Sequence, residues 1–447
     1  MLKNNIAPRP RAWHDSVHAS LCLLGRHLRQ IGFFRPLEER VQIQQKAIKY
    51  TSVQKLEMFF VALLAGAKAV SQTNLTVRVD PALWRAFGLP GCADQAGMAH
   101  TLDAATEADV SALREALAET FGRYSQTRRH DWTRAWLVLD LDLSPLPASR
   151  HAEGSTRGYM GRCRSKTGRK LVRVRAAASQ ETVWETVGAG NLVETLAVVQ
   201  EAVTEAERLL GLSGDGEAAR TKRACTEIRL DGGWGTTAII TWLLERGYQL
   251  TGKFKSTSRV RKLVQGITTW QPTSSPGREV APVPTPMPFG RPLAQYAVRT
   301  PSKDRTDGYY YAVVFSTHLA RPMTEVVSRY DGRAGGEADL KSDKRGLALA
   351  VIRKHRLAAQ RLVVLLTQLA HNVLLWSRQW LAVQAPRLQE CGIVRLVQEV
   401  WAVPGRVKLV GEQIGTVRLR REHPRARDVC CGFRPLLTKS ERLGFWR

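Results

Sequence analysis

Cysteine is scarce and unorganised in this chain: seven in 447 residues, with no CxxC pair and only Cys430 and Cys431 adjacent. A structural zinc site needs four ligands at recurrent spacings, so a zinc module is excluded. An odd count without a disulfide framework fits a reducing cytoplasm. Long apolar runs are also missing near the N-terminus, where Met58 to Ala67 is too short to span a bilayer. Charge and two prolines, Pro8 and Pro10, interrupt the first thirty residues, so no secretory signal is expected. Internal repeats and long heptads are absent. Acid is in short supply as well, with 40 Asp and Glu against 67 Lys and Arg, a net charge of +27. An excess of that size points to a polyanionic partner, nucleic acid before membrane.

What is present is an ordinary globular composition, 44% hydrophobic, in a chain long enough for two to four domains. Residues 1–130 read as mainly helical. Apolar residues recur at helical spacing over Arg11 to Phe34 and Lys55 to Ala69, and Thr106 is placed to cap a third helix, TEADVSALREALAETF. The preceding LPGCADQAGMAHTLDAA suggests a turn and short helix, a pairing that can set one helix in a DNA groove.

The pattern changes from about residue 131. DWTRAWLVLDLDLSPL is a strand whose alternation places Asp140 and Asp142 on one face. KLVRVRAAA and ETVWETVGA follow as strands, LVETLAVVQEAVTEAERLL as an amphipathic helix, and CTEIRLDGGWG as a strand ending at Asp231. TTAIITWLLERG is then a helix and YQLTGKFKS a strand. Three strands followed by strand–helix alternation predict a mixed sheet with acids converging at one edge. Residues 257–312 are basic and proline-rich and predict a β insertion or long loop. Residues 313–385 return to the sheet domain, ending in a long Ala/Leu-rich helix expected to pack on the sheet. Residues 386–447 form a basic region containing a hairpin-like stretch, with eleven Lys and Arg against four Asp and Glu from Arg406 onward.

The stretch YDGRAGGEADLKSDK carries Tyr330, Arg333, Glu337 and Lys344 at helical offsets that share an arc of about 60°. Gly332, Gly335 and Gly336 oppose a continuous helix there. Alone, such a stripe is far more commonly a solvated helix face with charge pairs. Together with Asp140 and Asp231, Glu337 completes three carboxylates that repel unless a cation neutralises them, and hard oxygen donors suit Mg²⁺ or Mn²⁺. Two such ions can drive phosphoryl transfer. A glycosidase pair is the rival use of two acids, but the positive charge does not favour a neutral sugar.

These residues resemble bacterial insertion-sequence transposases of the DDE class, in the group with the signature Y-x2-R-x3-E-x6-K, which Tyr330, Arg333, Glu337 and Lys344 match at every spacing. The first family acid follows an apolar strand, as in LVLDLD, and the second precedes a small residue and an aromatic, as in LDGGW. The resemblance covers about 135–385. It implies an α/β, RNase H-like mixed-sheet catalytic domain (131–256 and 313–385) with a β-rich insertion (257–312). An N-terminal helical end-binding domain and a basic C-terminal region flank it. It implies catalysis and metal binding by Asp140, Asp231 and Glu337 with two Mg²⁺ (Mn²⁺ as substitute), and phosphate contacts by Tyr330, Arg333 and Lys344. By position Trp270 is the aromatic that stacks on a flipped base. The partners implied are terminal inverted repeats and target DNA, bound by a homodimer or higher oligomer in the bacterial cytoplasm. Because the first motif continues as DLDLSPLP, Asp142 is an alternative to Asp140. A DNA-binding protein without cleavage, or an RNase H-fold nuclease without strand transfer, are the competing readings.

Overall fold

The computed structural model describes residues 13–45, 49–161, 166–255, 258–438 and 440–446. Arg11, where the first helix is expected to start, and residue 257, at the start of the expected insertion, lie outside them. The chain forms two compact units. One gathers Met1–Tyr124, Pro147–Glu153 and Asp339–Arg447; the other comprises Ser125–Leu146 and Gly154–Ala338.

The first unit opens with strand β1 (Trp13–Ser16), not with the helix expected there. Helices α1 (Ala19–Gln30), α2 (Arg35–Arg40), α3 (Ser52–Leu64), α4 (Pro81–Ala86), α5 (Gln95–Ala104) and α6 (Glu107–Tyr124) follow. Side-chain caps set the starts of α3 to α6. Thr51 and Gln54 form a reciprocal capping box at α3. Asp80 and Asp94 accept the backbone N–H groups of Leu83 and Gly97 at α4 and α5. At α6, Thr106 exchanges bonds with Asp109.

The second unit contains β2 (Leu137–Pro147), β3 (Thr156–Arg157), β4 (Thr167–Ala176), β5 (Thr182–Ala189), α7 (Leu196–Leu210), α8 (Glu217–Ala224), β6 (Thr226–Leu230), α9 (Thr237–Glu245), β7 (Gln249–Lys253) and α10 (Ser258–Val264). It continues with β8 (Gln271–Pro272), β9 (Glu279–Pro282), β10 (Ala294–Pro301), β11 (Tyr309–Ser316) and α11 (Met323–Asp331). The sheet order is β3-β4-β2-β6-β7-β11-β10-β9-β8, with β5 on β4. β2, β6 and β7 are parallel neighbours, whereas β4 with β5 and β11 with β7 are antiparallel. The sheet is therefore mixed, and the proline-rich segment extends it as β8 to β11. Leu139 and Leu141 on β2 face α7, among Val203, Ala206, Ile228 and Tyr248. Asp140 between them and Asp142 just beyond are turned to the other face, under α11.

Helix α12 (Ala334–Gly346) ends in the first unit, which continues with α13 (Leu357–Ala382), α14 (Ile393–Arg395), β12 (Gly405–Val410), β13 (Gln413–Arg420), α15 (Ala426–Phe433) and β14 (Arg442–Trp446). Thus 339–385 groups with the N-terminal helices and not, as expected, with the sheet. The long apolar helix α13 packs against α3, α5, α6 and α15. It is apolar on nearly every side, and 89% of its most apolar stretch is buried. That pattern makes it the central helix of its own unit, although its length and hydropathy would also suit a bilayer. The C-terminal strands form a separate sheet, β1-β12-β13-β14, across whose hairpin Gly411 takes φ +63°.

Glu57 on α3 is buried beside Arg29, whose Nη2 donates to it at 2.8 Å. Burial pushes its carboxyl up to about 8, with Arg29 opposing and Glu38 adding to the rise. Because the folded value lies above the usual 4.5, the stability contributed by this proton is complete below pH 4.5 and is lost as pH rises through 8. Melting curves at pH 5 to 9 should show the first unit weakening over that range. Glu57→Gln should flatten the profile; an unchanged profile would remove this cause.

Candidate functional site

Register explains which acids meet. On β2 and β6, Asp140 pairs with Arg229 and Leu141 with Leu230. The next residues level with one another are Asp142 and Asp231, and Asp231 follows the last residue of β6. Ends of parallel strands are where open α/β sheets place their sites. From the opposite side come α11 and α12. The chain does not run as one helix through Tyr330 to Lys344: α11 ends at Asp331 and α12 begins at Ala334. Between them, tight turns bond Gly332, Arg333, Gly335 and Gly336 to carbonyls three or four residues back. A Cβ on Gly332 would stand 3.0 Å from an Arg229 nitrogen, so a larger residue crowds this turn.

The break leaves the polar stripe aimed inward. Arg333, itself 7% exposed, sits among three carboxylates: Glu337 Oε1 at 3.1 Å, Asp231 Oδ1 at 3.5 Å and Asp142 Oδ1 at 3.6 Å. Tyr330 Oη donates to Asp231 Oδ1 at 3.1 Å. The carboxylates are open to a ligand, with side chains 23%, 43% and 51% exposed for Asp142, Asp231 and Glu337. Burial raises the Asp142 carboxyl above its ordinary range; Arg333 opposes this, and the charges of Asp231 and Glu337 add to it. Burial acts upward on Asp231 too, but Arg333, the Gly232 N–H, Lys253 and Tyr330 together hold it below its ordinary value. Tyr330 is pushed well up by burial and by Asp231, so it remains a hydrogen-bond donor at neutral pH.

Asp140 is placed apart from these three. It lies on the same face as Asp142, as the alternation predicts, but one pleat earlier. There it is 3% exposed and bridged by Arg175 Nη1 at 3.0 Å and by Arg229 Nε at 2.6 Å and Nη2 at 2.8 Å. Arg229 also donates to the Arg329 carbonyl at 3.2 Å, so Asp140 ties β2, β4 and β6 to α11. Glu227 does the same from β6: it accepts from Arg329 Nε at 2.8 Å and is held down at about 2, where bonds from His318, Arg329 and Thr251 outweigh its burial. These ion pairs position the helix that carries Tyr330.

The remaining expected residues lie elsewhere. Lys344 is in the last turn of α12 and belongs to the first unit. Trp270 precedes β8, the outermost strand of its sheet, where Arg299 lies 4.6 Å from its ring and Tyr311 is 6.1 Å away. Several neighbours of the carboxylates are not apparent from the sequence. Lys253 extends over Gly232 and draws Asp231 down. Lys170 on β4 is lowered by burial against the opposing charges of Glu194 and Asp142, and Arg173 acts on Asp142 from the same strand. Glu194 lies against Gly233. The signal for Lys170 and Arg173 is the cation-rich KLVRVRA, which reads as strand but also lines a site; Lys253 and Glu194 leave no such signal.

The donor set is all hard oxygen and fits Mg²⁺ or Mn²⁺ better than a softer ion. With Arg333 between the carboxylates, no three acid, histidine or cysteine side chains among the described residues are grouped closely enough to hold one ion together. The guanidinium occupies the position of the cation that these charges require.

No protein-family model and no curated protein matches this chain. Among solved structures it is similar to a piggyBac transposase, seen by electron cryomicroscopy as a synaptic complex with hairpin DNA. That likeness has 12% identity and a TM-score of 0.46, over 87% of this chain and 82% of the other. A likeness of that depth carries no weight for fold or activity.

Proposed function

We propose that this protein is a DNA transposase of the three-acid class, cutting at terminal inverted repeats and joining the ends to target DNA. The observation that carries the reading is the meeting of Asp142, Asp231 and Glu337 around Arg333, with Tyr330 on Asp231. The three acids come from the middle of β2, the end of β6 and a helix, in the order in which the Y-x2-R-x3-E-x6-K resemblance requires them. An RNase H-like reading is supported by the run β5-β4-β2-β6-β7, with β2, β6 and β7 parallel and β4 antiparallel to β5.

In this reading Asp142 replaces Asp140 as the first acid, and Asp142, Asp231 and Glu337 would hold two divalent ions. Bound there, Mg²⁺ supplies charge neutralisation at the scissile phosphate and acidifies the attacking hydroxyl or water. The chain's own groups do the positioning. Tyr330 Oη fixes the Asp231 carboxylate, and Arg333 offers a guanidinium fork to a phosphate oxygen in place of the carboxylates it now holds. Lys253 and Lys170 add positive charge beside Asp231 and Asp142. Lys344 and Trp270 are assigned to the DNA backbone and to a displaced base. The acting form is a homodimer or higher oligomer on paired DNA ends, in the bacterial cytoplasm.

The test is divalent-ion-dependent cleavage and strand transfer on duplexes bearing the repeats that flank the coding region. Asp142→Ala, Asp231→Ala and Glu337→Ala should each lower cleavage by about 10³-fold or more, as loss of one member of an interdependent catalytic set does, with duplex binding retained. Full activity in Asp231→Ala would sink the assignment. Full activity in Asp142→Ala would return the first position to Asp140.

A further inference from the structure

One face of the C-terminal sheet is built of cations and tryptophans, and the carboxylate site does not use it. Pairing fixes its membership: Trp13 opposes Lys408, Asp15 opposes Arg406, Arg406 opposes Arg418, Thr416 opposes Arg442, and Arg420 opposes Trp446. Opposed residues share a face. The other face carries Val407, Val417 and Leu419, all buried, and packs on α1, α4 and α15. The outward face therefore presents Arg406, Lys408, Arg418, Arg420 and Arg442. Its two acids are already engaged, Asp15 by Arg406 at 3.0 Å and Glu422, at its border, by Arg420 at 3.6 Å.

Folding gives no reason for this arrangement. Arg406 and Arg418 are like charges directly opposite one another, which weakens a strand pair. The tryptophans offset the cost: Arg406 lies 4.2 Å from the Trp446 ring, while Arg418 and Lys408 lie 5.1 and 5.7 Å from Trp13. A cation thus lies over each ring, which keeps the charged groups raised on the surface and competes with base stacking even at Trp13, which is 39% exposed. Single-stranded nucleic acid is recognised largely through open stacking platforms. Duplex RNA is recognised by its shape and by 2′-hydroxyl and phosphate contacts across a wide minor groove, whereas this face offers mainly cations spread over a sheet.

We propose that this face binds the phosphate backbone of double-stranded DNA without reading its sequence, as a second contact surface separate from the carboxylate site. The inference stands whether or not the carboxylates cut DNA, and it is tested on Asp231→Asn protein with a duplex of random sequence, about three helical turns long and lacking any repeat. Binding is followed by fluorescence anisotropy across a salt series. A variant carrying Lys408→Ala, Arg418→Ala and Arg420→Ala should lose about tenfold or more in affinity at about 100 mM salt. Its slope of log K against log salt should become shallower by about 0.9 for each phosphate that the variant no longer neutralises. A control with Arg35→Ala, Arg353→Ala and Arg395→Ala removes the same charge from other exposed positions of this unit and should change the slope far less. Melting temperatures of both variants check that they fold. An unchanged slope, an equal loss in the control, or tighter binding of single-stranded DNA or duplex RNA would overturn the proposal.

Discussion

Replacing Asp140 with alanine should cost its unit about 3–5 kcal/mol of stability, the typical loss when one partner of a buried ion pair is removed. Arg175 and Arg229, 6% and 8% exposed, would be left facing each other without their shared carboxylate. Asp142→Asn should behave in the opposite way. Its carboxyl is raised by burial and by Asp231 and Glu337, so the charged form is the disfavoured one, and Arg333 keeps two other partners. The raised value means that stability contributed by the Asp142 proton fades as pH climbs through it, so the Asn variant's advantage should widen toward neutral pH. Urea titrations of both variants at pH 5 and pH 7.5 decide the matter. Equal losses at both positions would show that Asp140 is not the structural member of the pair.

That contrast marks where the sequence stops being informative. Alternation along LVLDLDL places both aspartates on one face, and a strand ending at Asp231 is legible from LDGGW. Which aspartate stands level with Asp231 depends on the pairing of β2 with β6, strands separated by about ninety residues, and no local pattern encodes that register. The apolar run alone suggests a strand that closes at Asp140, whereas β2 continues to Pro147. The glycines around Glu337 are a true warning: the helix breaks at Gly332 and Arg333, and the break turns the guanidinium in among the acids. Most of the strand–helix order from 137 to 253 is readable because its longer elements have a clean period, whereas the two-residue β3 and the polar α8 leave no such signal. The grouping of α13 with the N-terminal helices, and the pairing of β1 with β12, are not. Both join segments from opposite ends of the chain through apolar faces that say only that some partner exists.

Arg333→Ala should separate two functions of one side chain. The guanidinium holds three carboxylates that would otherwise repel, and at an effective dielectric near 20 each charge pair at about 4 Å is worth roughly 4 kcal/mol before desolvation. Without it, the acids need another cation. Mn²⁺ binding to the free protein, followed by electron paramagnetic resonance, should tighten by about tenfold or more. Cleavage of repeat-bearing DNA should nevertheless fall by about 10²–10³-fold, because a preorganised charged donor to the phosphate is gone. Arg333→Lys keeps the charge without the planar fork, so it should leave Mn²⁺ affinity near the parent value and still lose most of the activity. Weaker Mn²⁺ binding in Arg333→Ala would mean that the guanidinium organises the carboxylates for the ion and does not compete with it. The tight three-way contact at Arg333 would then be the assembled site itself, and the spacing of Asp142, Asp231 and Glu337 around it would be the spacing at which they act.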